Sequence, residues 1–125
     1  MKLYTSYFAN LRNLPPDIVP ISIARNEPPW FDGLCIKILA PDEHIRAKYN
    51  FDGNKDRYIK EYTDEVLRYL YAPKLVQILE VKSGGKDVVL LCYETPTKFC
   101  HRHLVSEWLN RNGFHCEEYS CEDNV

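Results

Sequence analysis

Methionine occurs once, tryptophan twice and glycine only five times in these 125 residues, and no apolar run approaches the length of a membrane span. A helix crossing a bilayer needs about 20 mostly apolar residues, so the chain reads as a protein that stays out of the membrane. The opening "MKLYTSYFAN" lacks the apolar core of a signal peptide, and a cytoplasmic protein is expected. Charge of one sign is also missing. Lysine and arginine number 16 against 18 aspartates and glutamates, a net −2, so no overall basic field points to nucleic acid. The five cysteines, at 35, 92, 100, 116 and 121, are odd in number and irregular in spacing. Reduced thiols fit that pattern better than a disulfide framework. No repeat, low-complexity tract or linker interrupts the chain, and its length suits one domain over residues 1–125. What remains is ordinary for a globular protein: 45% hydrophobic and 27% charged residues, with a generous nine tyrosines.

Hydrophobic patterning divides the chain into alternating strands and helices. Residues 2–8 (KLYTSYF) read as a first strand and 18–24 (IVPISIA) as a second, where Pro20 suits a sheet edge or a strand start. "RNEPPWFDG" is a loop, and 34–39 (LCIKIL) a third strand. Residues 40–55 are polar and weakly patterned, read as a loop with a short helix, long enough for a lid. Asn54 can cap a following helix on which Ile59, Tyr62, Val66 and Leu70 share a face. Pro73 restarts a second helix, with Leu75, Ile78 and Leu79 inward, and Gly84-Gly85 end it. Residues 87–92 (DVVLLC), apolar on both faces, read as a central parallel strand. Leu104, Val105, Trp108 and Leu109 make a last helical stripe ending at Asn112-Gly113, and 114–119 a last strand before an acidic tail. The alternation implies an α/β layered fold with a mainly parallel sheet flanked by helices. In such sheets ligands bind beyond the carboxyl ends of the strands.

Cys92 stands at one of those ends, and the residues behind it are dense in chemistry: "LLCYETPTKFCHRH". Several readings compete. In the first, a helix beginning near Thr95-Pro96-Thr97 offers free N–H groups and the positive end of its dipole to an anion. Lys98, His101 and Arg102 would assist, with Arg102 able to grip phosphate or carboxylate through two bonds. Arg25, at the end of another strand, would close on the same ligand, and Tyr4, Tyr7, Trp30 and Tyr93 are candidates to stack on its ring. The plain alternative pairs Arg102 with Glu94 or Glu107. In the second reading Cys100 lies in the first helical turn, where the dipole and neighbouring cations favour its thiolate, and Cys92 is its partner. Against it, strand-end cysteines are commonly inert packing. In the third, Cys92, Cys100, His101 and His103 hold zinc or iron. Cys100 and His101 are adjacent, His103 points elsewhere on a helix, and no second Cys-x2-Cys pair completes a cage. Cys92, Cys100 and His101 could hold a metal with one position open, but nothing in the spacing requires it, so no bound metal is expected. Glu94, two residues past the strand end, can serve as general base or accept a hydroxyl.

The residues "LLCYETPTKFCHRHLVSEWL" resemble the signature of the family called domain of unknown function 488, in which a strand ends Leu-Cys-x-Glu and a helix begins Cys-His-Arg. "LYTSYFANLRNLP", "VPISIARNEPPWFDG" and "GGKDVVLLCYE" are similar to one branch of it, so the resemblance spans most of the chain. More widespread members carry Thr-Ile-Gly-His-Ser in the first strand and Asp-Val-Arg at the end of the second. Here those places read Tyr4-Thr5-Ser6-Tyr7-Phe8 and Ile23-Ala24-Arg25, so only the arginine is retained. What the resemblance implies is the fold and the location of a site; it carries neither a reaction nor a cofactor. The leading expectation is a small enzyme or binding protein for a small anionic, nucleotide-like molecule. Arg25, Arg102, His101, Lys98 and Tyr7 would bind it, and Glu94, Cys92 and Cys100 would be the reactive groups. The rival is a non-enzymatic interaction protein whose Cys-His-Arg cluster is structural and whose aromatic surface meets a macromolecule.

Overall fold

The computed structural model describes residues 1–94 and 98–120. Five strands form one sheet in the order β3-β2-β4-β1-β5. They are β1 (Leu3–Tyr7), β2 (Val19–Ser22), β3 (Leu34–Cys35), β4 (Val88–Cys92) and β5 (Cys116–Glu118). Every pairing is parallel. Among the described residues there are four α-helices: α1 (Glu43–Asp52), α2 (Lys55–Glu65), α3 (Ala72–Ser83) and α4 (His101–Arg111). This is the α/β layered architecture expected of alternating elements. Among the described residues no helix is long and apolar enough to cross a membrane.

β4 lies in the middle because all five of its side chains can be buried, and all five are. Val88 and Leu90 face a large core built with Ile45 of α1, Tyr58 and Tyr62 of α2, Leu75 and Leu79 of α3, and Val105 and Leu109 of α4. Val89 and Leu91 face the other way, onto Phe8, Ala24 and Phe31. Pro20 is not on an edge strand, yet it costs no ladder bond. Val19 and Ile23 donate their N–H groups toward β4, to Asp87 and Leu91, so the missing N–H of Pro20 faces the opposite side. There β3 pairs only with Ile21 and Ser22. Pro20 therefore sits where half of β2 is still an edge. Its carbonyl also explains Gly33: a Cβ there would lie 3.2 Å from Pro20 O and 2.5 Å from the Phe31 ring.

Two expected elements differ. The third strand stops at Cys35, and Lys37–Leu39 turns into a 3-10 helix, because Ile36 and Leu39, three residues apart, are both buried and 3-10 winding eclipses such a pair. The stretch expected to be mostly loop holds the ten-residue α1, ended by Gly53 in the left-handed conformation at φ 64°. Only Ile45 of that helix is fully buried, which is why the sequence shows little periodicity. In α2 the buried residues are Tyr58 and Tyr62, followed by Val66. Asn54 caps the helix, accepting a hydrogen bond from the Arg57 N–H.

Candidate functional site

The carboxyl ends of β2 and β4 open into a cavity of about 140 Å3. Ala24, Arg25 and Asn26 line it from beyond β2, and Cys92, Tyr93 and Glu94 from β4 and its exit. Arg46, Tyr49 and Asn50 reach it from α1, Tyr58 from α2, and Phe99, Cys100 and His101 from the start of α4. The backbone at the end of β2 is pinned. Lys37 donates from Nζ to the carbonyls of Ala24 (3.0 Å) and Arg25 (2.9 Å) and pairs with Glu27. Arg25 and Arg46 then share one carboxylate oxygen of Glu43, at 2.9 and 3.3 Å. Two guanidinium groups at one cavity already converge on an anionic atom.

α4 begins later than the sequence suggests. Thr95 and Thr97, the expected caps, lie outside the described residues. The first helical residue is His101, and Cys100 precedes it in extended backbone (φ −152°, ψ 148°). Cys100 is therefore not in the first turn. Its sulfur is bonded to that of Cys92, whereas Cys35 and Cys116 are free. The expectation that all the cysteines are reduced is corrected for this pair: β4 and the approach to α4 bring residues eight apart together.

His101 is buried beneath the cavity. Its Nε2 lies 2.7 Å from the carbonyl oxygen of Ile23, and a carbonyl only accepts, so Nε2 carries the proton. Nδ1 faces the sulfur of Cys100 at 3.9 Å. Burial is the main cause that holds the His101 pKa down at about 4, since the charged imidazolium is poorly solvated there. An aromatic wall of Tyr49, Tyr58 and Phe99, with ring centroids 4.9 to 5.4 Å apart, closes the cavity beside α1 and α2. Tyr93 rests on the buried Phe8, which also meets Phe31 and the exposed Trp30 away from the cavity.

Arg102 is placed differently from the sequence expectation. It is fully buried and does not line the cavity. Nε and Nη2 donate to the two carboxylate oxygens of Glu118 at 3.1 and 3.0 Å. Nη1 donates to the main-chain carbonyl of Glu94 and lies 3.2 Å from the sulfur of Cys92. Its partner is thus neither the Glu94 carboxylate nor Glu107, which pairs with Arg111. Tyr7 lies 5.8 Å from that guanidinium, ring centroid to carbon, rather than in the cavity. Lys98 is exposed and is not a lining residue, and His103 is half-buried on α4. The structure therefore brings Arg25, Cys92, Glu94, Cys100 and His101 together, and sets Arg102, Lys98 and Tyr7 outside the cavity. Arg46, Tyr49 and Asn50 were not among the expected residues. Their spacing of three and four would mark one helical face, once 43–52 is recognised as a helix between Asp42 and Gly53.

The class the structure defines is an α/β protein with an all-parallel sheet and a cavity at the carboxyl ends of its strands. The chain belongs to the DUF488 family. It is matched over residues 12–113 by the family model described as the active DUF488-N3 subclade, DUF488-N3a. No curated protein and no solved structure matches the chain.

Proposed function

We propose that this protein binds a small anionic molecule, nucleotide-like in having a ring beside its charge, in the cavity at the ends of β2 and β4. The observation that carries the reading is that Arg25 and Arg46, both lining the cavity, converge on a single carboxylate oxygen of the exposed Glu43. Glu43 stands in there for a ligand's phosphate or carboxylate. Asn26 and Asn50 add hydrogen-bonding groups to the same walls. The volume limits what enters. Pockets that enclose drug-sized ligands start at roughly 300 Å3, so about 140 Å3 takes the charged head alone. The ring would rest outside, on the exposed Tyr93 at the cavity wall, where an offset or edge contact adds about 0.5–1.5 kcal/mol.

In this reading Arg102 is a positioning residue. It holds the Glu94 main chain and the Cys92 sulfur in place while Glu118 neutralises it. Glu94 is an exposed residue at the cavity wall and is the candidate general base, with Cys92 and Cys100 beside it. The cytoplasmic location expected from the sequence belongs to the same reading. The rival, an interaction protein with a structural Cys-His-Arg cluster, draws support from the full burial of Arg102. It predicts no response to small anions.

A thermal-shift screen of nucleotides, sugar phosphates and dinucleotides separates the two. A ligand at a hundred times its Kd stabilises the folded state by about 2.7 kcal/mol. Arg25→Ala and Arg46→Ala are expected to abolish the shift, and Glu94→Gln to preserve it while stopping any turnover. Shifts untouched by both arginine substitutions, or no shift at all, would overturn the anion reading.

A further inference from the structure

Beneath the anion cavity, the sulfurs of Cys92 and Cys100 and a ring nitrogen of His101 lie within 4.8 Å of one another, and all three residues are buried. We propose that in the dithiol form these three side chains bind one zinc ion, with a fourth coordination position open to the cavity. This goes beyond the anion reading and does not depend on it.

The histidine is prepared for the task. Its Nε2–H is committed to the Ile23 carbonyl, which fixes the tautomer and leaves the Nδ1 lone pair facing Cys100. A metal-binding histidine typically has its second nitrogen anchored in this way. The adjacency of Cys100 and His101 is no obstacle: Cys100 is extended where His101 begins α4, so the two can direct their side chains to one point. The Cα atoms of Cys92 and Cys100 are 7.2 Å apart, wider than the roughly 4.4–6.8 Å usual across a bridged pair. That separation leaves room for an ion between the sulfurs once they are reduced. Two thiolates and an imidazole are borderline-soft donors suited to tetrahedral zinc, and three protein ligands with one open position is the arrangement of catalytic rather than structural zinc sites. All three ligands line the cavity, so the open position faces solvent and any bound anion.

The chemistry balances with a dithiol reductant. Exchange breaks the Cys92–Cys100 bond, the reductant ends as its own disulfide, and the two electrons and two protons reside on the protein as two thiols. Zinc then displaces both protons and binds the thiolates. Arg102, 3.2 Å from the Cys92 sulfur, offsets part of the added negative charge.

Cobalt(II) reports such a site through thiolate-to-metal charge-transfer and tetrahedral d–d absorption. The full chain would be reduced with excess dithiol, freed of it anaerobically and titrated with cobalt, then with zinc. One cobalt per chain, release of two protons and bleaching by zinc are expected. Cys100→Ser should weaken binding more than about 100-fold, a loss at least as large as that from removing a ligand's supporting contacts. Serine suits the residue before a helix, so this variant retains its fold, and thermal unfolding of the variant checks that directly. Cys35→Ser and Cys116→Ser should bind cobalt as the parent does. No tetrahedral absorption from the reduced parent, binding unchanged by Cys100→Ser, or loss with Cys35→Ser would each overturn the site. The anion screen uses the bridged protein without metal, so the two readings fail separately.

Discussion

Replacing Glu118 with glutamine should destabilise the protein far more than its place on a short edge strand suggests. Arg102 has no side-chain exposure, while Glu118 keeps about a quarter of its own. Both carboxylate oxygens are used: Oε1 accepts from Arg102 Nε and, at 2.7 Å, from the Thr5 hydroxyl, and Oε2 accepts from Arg102 Nη2. Breaking a buried pair by removing one partner costs about 3–5 kcal/mol, because the surviving charge is left uncompensated. Partial exposure of Glu118, and the amide oxygen that glutamine retains, place Glu118→Gln near the lower end, about 3 kcal/mol. Urea denaturation at neutral pH measures it, with Glu107→Gln as the control. That residue pairs with Arg111 at 3.5 Å on the surface, where such contacts contribute about 0–1 kcal/mol. The double variant Arg102→Met/Glu118→Leu should regain much of the loss, since apolar replacements of a buried pair are often neutral or better. A Glu118→Gln protein within about 0.5 kcal/mol of the parent would refute the positioning role given to Arg102.

Three further outcomes follow from the same geometry. His101 titrates near 6.5 when unfolded and near 4 when folded, so below about pH 6.5 the unfolded chain takes up a proton the folded one refuses. Its contribution is therefore whole above that pH and falls away toward pH 4, by about 3 kcal/mol, and unfolding curves of parent and His101→Gln should differ by that extra acid sensitivity. Glu43→Gln removes the carboxylate that occupies Arg25 and Arg46, and should tighten binding of any anion found in the screen roughly two- to fivefold, read by calorimetry. Tyr62→Phe strands the Leu39 carbonyl, which accepts from the Tyr62 hydroxyl at 2.6 Å in the core, and should lower stability by about 1–3 kcal/mol in urea denaturation.

What could be read in advance depended on how locally each feature is encoded. β4 was legible because Val88–Cys92 is apolar without interruption, and α3 because Pro73 and Gly84 mark its two ends. The strand-end rule applied to Cys92 points to where the cavity lies. α1 was not legible, since it lies across the cavity with one fully buried residue and polar neighbours, leaving almost no periodic signal. The fate of Arg102 was hidden for a different reason. Its partner Glu118 comes within reach only because β5 pairs with β1 in parallel, placing Thr5 opposite Glu118. The Cys92–Cys100 contact likewise depends on how the chain returns from β4 to α4, which is a tertiary fact. Residue types mark the junction behind Cys92; which arginine faces the cavity is decided by packing.

Arginine side-chain NMR tests most directly whether an anion sits between Arg25 and Arg46. In 15N-labelled protein, the Nε–Hε signals of Arg25 and Arg46 would be followed during titration with a nucleoside diphosphate. Saturable shifts of both signals, with that of Arg102 holding its place, are the predicted result. Unmoved Arg25 and Arg46 signals, or shifts confined to surface residues such as Arg12 and Arg111, would contradict it.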